Sequence, residues 1–152
     1  MPRSAKPRKS YRPRLVGRPV LDRMRNDLIL PAYSALETLR AGTDPDALES
    51  ARHTLAALLD YLWVALRGAS RDLEVTEAGL DALRGLIARH DRTGTWRCTG
   101  EELQALRAAV IHADQVLPLL RTDQLTAALV TVDAAMARLV DGSHQSDFGG
   151  TR

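Results

Sequence analysis

Between residues 45 and 67 the chain places Leu48, Ala51, Leu55, Leu58, Leu59, Leu62 and Leu66 mostly three or four positions apart. At about 100° per residue these side chains form one stripe, whereas a strand would send alternate ones to opposite faces. Glu49, His53, Asp60 and Arg67 fall on the other side. An amphipathic helix of this kind owes most of its stability to burying its stripe against others. The segment therefore demands helical partners. Thr43-Asp44-Pro45 supplies its start, a capping side chain followed by proline at the first helical position.

Four more segments carry the same period. From about 19 to 41, Leu21, Met24, Leu28, Ala32, Ala35, Leu36 and Leu39 share a stripe that keeps its phase across Pro31, which predicts a kink. Ile29, Leu30 and Tyr33 fall off that stripe as a second apolar edge. A third helix spans roughly 71–90 through Leu73, Thr76, Leu80, Leu83, Leu86 and Ile87, with Gly79 and Gly85 weakening it. Thr99-Gly100-Glu101-Glu102 has the spacing of a capping box, with Cys98 and Leu103 placed for a hydrophobic staple. The fourth helix then runs to about 120 through Leu103, Leu106, Ala109, Val110, Ala113, Val116, Leu117 and Leu120. Leu125, Leu129, Val132, Met136, Leu139 and Val140 form a fifth stripe. A straight continuation would turn it about 130° from the fourth. A break at 121–123, with Thr122 or Asp123 as cap and Asp141-Gly142 as stop, realigns the two.

Aromatic residues make up only 4% of the 152, so the core must be aliphatic, and abundant Ala and Leu favour helix. The expectation is an all-α fold: an antiparallel bundle of about five helices over residues 19–141. A basic, disordered arm (residues 1–18) precedes it, and a flexible tail (residues 142–152) follows. No apolar run approaches the roughly 20 residues that span a bilayer. The N-terminus lacks the apolar core of a secretory signal. With the single cysteine, Cys98, these features point to a soluble cytoplasmic protein.

The formal net charge of +2 conceals a partition. Residues 1–20 hold Arg3, Lys6, Arg8, Lys9, Arg12, Arg14 and Arg18 with no acidic residue, a charge of +7; the remainder sets fourteen Arg against nineteen acidic residues, net −5. Tyr11 sits among Arg12 and Arg14. Arg can hold phosphates and Tyr can stack on unpaired bases. These eight residues are the candidate polyanion contacts. A passive solubilising tail, a cover on the chain's own acidic body, and binding to a polyanion (DNA or RNA above all, or another acidic surface) are the competing readings. A helix-turn-helix reader is disfavoured, because TAALVTVDAAMARLV offers Arg138 as its sole basic residue.

No catalytic residue, metal ligand or cofactor site is expected. Cys98 precedes a helix N-terminus, which favours thiolate, but Glu101 and Glu102 oppose that. Neither His90 nor His112 is tied to it by spacing. There is no CxxC, HExxH, GxGxxG or GxxxxGK. Glu49 and His53 read as a solvated i,i+4 pair, His90 as a cap on helix-end carbonyls, and Trp96 as a packing plug. Ile29, Leu30, Tyr33, Trp63 and Val64 are the candidate protein interface, an apolar strip suited to a protein partner or a homodimer.

TGTWRCTGEEL, AAVIHADQVL, RPRLVGRPV and LILPAYSALETLR resemble segments of small uncharacterised bacterial accessory and mobile-element proteins. The resemblance implies a regulator or inhibitor that works by binding, and brings no site residue. Together these readings give a non-enzymatic helical interaction protein whose arm contacts nucleic acid or another acidic surface. The alternative is an inhibitor or dimerising regulator acting through the apolar strip.

Overall fold

Leucine and alanine stripes meet where the periodicity requires. The computed structural model describes residue 23 and residues 25–145, with side chains placed as far as Arg138. Among these residues it holds five α-helices and no strand: α1 (Leu30–Ala41), α2 (Pro45–Gly68), α3 (Glu74–Thr93), α4 (Gly100–Val116) and α5 (Thr122–Gln145). The predicted arm lies outside the described residues.

Contacts between helices fix their directions. Gly79 meets Ala105 and Ala109 while Gly85 meets Glu102, so α3 and α4 run antiparallel. Tyr33 reaches Asp114 and Glu37 pairs with Arg107, which makes α1 antiparallel to α4. Trp63 bonds Glu77 and Leu59 packs on Gly79, which does the same for α2 and α3. With α1 and α2 joined by the short turn at 42–44, four helices form an antiparallel ring. Leu55, Leu58, Leu59, Leu62, Leu66, Leu86, Leu106, Ala109, Val110 and Ala113 fill its centre without water contact. Every residue of the predicted α2 stripe is buried.

A π-helical turn, Arg25–Ile29, leads into α1. It takes the place of the predicted kink. Pro31 has no N–H for the carbonyl of Asp27, and the wider turn accommodates the missing bond. It also changes the angular phase. Ile29, assigned by a uniform 100° count to an exposed edge, is buried at 2% exposure.

Helix ends follow local chemistry. Asp44 caps α2 by accepting from the Asp46 amide. Asp72 accepts from the Glu74 amide, so α3 starts later than expected, and it runs past His90 until Gly94 ends it at φ 69°. The Thr99–Glu102 capping box is formed in both directions, at 3.2 and 2.8 Å. Pro118 lies in a 3₁₀ turn, Leu117–Leu119, where α4 stops. Before α5 the Arg121 amide donates to the Gln124 side chain, while Asp123, expected as a cap, binds the Arg121 guanidinium.

The fifth helix departs most from expectation. It packs chiefly on α2, where Tyr61 donates to the Leu125 carbonyl at 3.0 Å. Among the described side chains of α5 only Leu125 and Ala128 are buried; Leu129 and Met136 are exposed, and the side chains at 133–138 all face outward. The helix also continues through Asp141-Gly142 to Gln145, beyond the stop read from the sequence. Of the stripe's described members, α2 buries Leu125 and leaves Leu129 and Met136 exposed.

Candidate functional site

The candidate interface residues do not converge. Ile29 is interior, which removes it from any exposed strip. Leu30 is exposed on α1, and Tyr33, half-buried, faces Asp114 of α4 at a long 3.5 Å. Arg25 binds the same carboxylate at 3.3 Å. Burial, then the Asp114 charge, pushes the Tyr33 hydroxyl above its usual pKa. Trp63 instead lies at the α2–α3 edge, where its indole N–H donates to Glu77 at 3.3 Å and Arg67 covers its ring at 4.9 Å. Val64 lines a shallow groove between α2 and α5. The strip is thus divided among three interhelical edges, because the positions were grouped by margin and not by neighbour.

The candidate polyanion contacts, Arg3, Lys6, Arg8, Lys9, Tyr11, Arg12, Arg14 and Arg18, lie outside the described residues.

At the end of the bundle that carries the α1–α2 turn and the α3–α4 loop, the chemistry-bearing side chains are held in place. The His90 and Trp96 rings stack with centroids 3.7 Å apart and planes 7° from parallel. The Arg52 guanidinium lies 5.5 Å from the Trp96 centroid. His90 is therefore a stacking partner, not the carbonyl cap expected; the last turn uses Arg92 on the Ala88 carbonyl and Thr93 on the Arg89 carbonyl. Glu49 accepts from Arg52 and approaches the His53 ring, each at 3.1 Å, in keeping with a surface pair. The Arg52 hydrogen bond holds the Glu49 carboxyl below its ordinary range.

Cys98 is half-buried, and burial pushes its thiol up to about 11, with Glu102 adding to the shift and Arg89 opposing it. The sulfur is protonated at neutral pH. Among the described residues no hydrogen bond joins it to a histidine, and no group of three His, Cys, Asp or Glu side chains gathers as a metal site would. Arg89 went unnoticed in the sequence. It donates to both Glu102 oxygens and to the Arg97 carbonyl at 2.7 Å, tying α3, the loop and the α4 cap together. Nothing local signals this, since the partners are thirteen residues apart on different helices.

Among the described residues no helix is long and apolar enough to cross a membrane. Comparison with known proteins finds no matching family model, curated protein or solved structure.

Proposed function

We propose that the chain is a non-enzymatic helical interaction protein whose N-terminal arm contacts nucleic acid. One observation carries the reading: seven basic residues and no acidic one in residues 1–20, against a net −5 in the rest. A run of Arg and Lys neutralises phosphates without reading bases, so the binding is expected to be strong at low salt and indifferent to sequence. Tyr11 adds a stacking surface that favours single strands. The body supports the reading by its contents. There the Arg89–Glu102 pair joins two helices and closes a cap, and burial pushes the one thiol up to about 11. An electrophoretic shift assay compares the full chain with one beginning at Val20. Binding of single-stranded DNA by the first alone supports the role of the arm; equal binding by both, or none by either, rejects it.

A second reading has its own observation. Leu129 and Met136, seven positions apart on one face of α5, are exposed at 41 and 45%. An uncovered apolar helix edge suits a regulator that binds a protein, as the resemblance to bacterial accessory proteins implies. Met136→Asp is expected to abolish capture of such a partner while leaving the helical circular dichroism intact. Unchanged capture would reject this reading.

A further inference from the structure

Between the α1–α2 turn and the α3–α4 loop lies a cleft of about 590 Å³. That volume falls within the range of small-molecule sites, roughly 300–1,000 Å³. Leu39 and Leu48, each 6% exposed, form an apolar floor with the Cys98 thiol. Among the described residues Arg40 and Arg97 are its only charged lining; none of the eleven is Asp or Glu.

The two cations differ. Arg40 is already paired with Glu37 at 2.7 Å. The Arg97 guanidinium meets no carboxylate among the described residues, and its backbone is fixed where the Arg97 carbonyl accepts from Arg89. One wall is equally fixed, because Trp96 is stacked on His90 with Arg52 close by. A site whose walls are already ordered loses less entropy when a ligand enters. The protonated Cys98 thiol adds no competing negative charge.

We propose that this cleft binds a small amphipathic organic anion, with its apolar body on Leu39 and Leu48 and its carboxylate, sulfonate or phosphate at Arg97. An uncompensated guanidinium at the rim selects a planar or tetrahedral oxyanion by charge-assisted hydrogen bonds. The floor selects against fully polar ions by offering them nothing but desolvation. None of the cleft residues belongs to the arm, so the proposal and the nucleic-acid reading fail separately.

The test uses the full chain carrying Trp63→Phe, which leaves Trp96 as the sole indole. Anilinonaphthalene sulfonate is titrated in while Trp96 emission is followed. The neutral N-phenylnaphthylamine is the comparison ligand. Saturable quenching is expected with the sulfonate, at least about tenfold weaker in Arg97→Ala and with the neutral amine, as loss of a charged hydrogen bond implies. Thr95→Phe, which fills the cleft, is expected to remove binding without altering helical content. Arg71→Ala, exposed in the α2–α3 connection, is expected to change nothing. Absent or unsaturable quenching, equal affinity in Arg97→Ala, or equal affinity for the neutral amine would overturn the assignment.

Discussion

Arg89 and Glu102 are joined by two N–H···O bonds, from Nη2 to Oε1 at 2.6 Å and from Nη1 to Oε2 at 2.8 Å. The same Oε2 accepts from the Thr99 amide, so one carboxylate closes the capping box of α4 and anchors α3. Gly85 makes this possible, since a Cβ there would stand 2.7 Å from Glu102 Oε1.

Glu102→Ala is therefore expected to destabilise the fold by about 2 kcal/mol or more, the cost of a lost cap together with a lost charged hydrogen bond. Equilibrium urea unfolding measures it. The Arg89 hydrogen bond holds the Glu102 carboxyl below its unfolded value. As pH falls, the unfolded chain takes up this proton first. The stabilisation is thus complete above the ordinary glutamate range and lost as pH falls through the lower, folded value. The gap between the native chain and Glu102→Gln should hold at neutral pH and shrink only as pH falls below the ordinary glutamate range.

Gly79 and Gly100 should respond oppositely to alanine. A Cβ at Gly79 would lie 2.7 Å from the Ala109 Cβ and 3.1 Å from Leu59 Cδ1, both inside the packed ring. Gly79→Ala is expected to cost about 1–3 kcal/mol despite the better helix propensity. Gly100, at the start of α4, has open space around it, so Gly100→Ala should be neutral or stabilising by up to ~1 kcal/mol. Thermal unfolding of the two variants checks both signs.

Thr76 is fully buried and its hydroxyl has no hydrogen-bond partner. Replacing it with valine removes an unsatisfied polar group and keeps the shape. Thr76→Val should raise stability by about 1 kcal/mol, read from the urea midpoint.

Much of this fold was legible because its rules are local. The α2 stripe, the Asp44 start and the Thr99–Glu102 box each depend on residues within a few turns, and each appears as read. Ile29 was misplaced because angular counting assumes one helical pitch, which the π turn at Arg25–Ile29 breaks. Leu129 and Met136 were assigned to the core because periodicity shows that a face is apolar, not whether a neighbour covers it. Among candidate sites, burial pushes the Cys98 thiol up to about 11, an effect that residue spacing does not encode. The joining of Trp96 to His90 and Arg52, and the Arg97 cleft beside it, required the approach of three separate segments. No spacing in the sequence encodes that approach.

Cys98 should react slowly. With its thiol pushed up to about 11, little thiolate exists near pH 8, and modification by a disulfide reagent should lag well behind free cysteine. The rate should climb as pH approaches 11. Because the folded value lies above the unfolded one, the contribution of Cys98 to stability is complete below about pH 8.5 and lost as pH rises towards 11. Stopped reaction at several pH values, with native and unfolded protein side by side, measures both effects.

The separation of a +7 arm from an acidic helical body is tested most directly by the salt dependence of DNA binding. If all seven charges of residues 1–20 meet phosphates of duplex DNA, log K against log salt falls with a slope of about −6 for the full chain. A chain beginning at Val20 should show no measurable binding under the same conditions. Equal slopes for the two proteins, or a full chain whose affinity does not change with salt, would contradict the account.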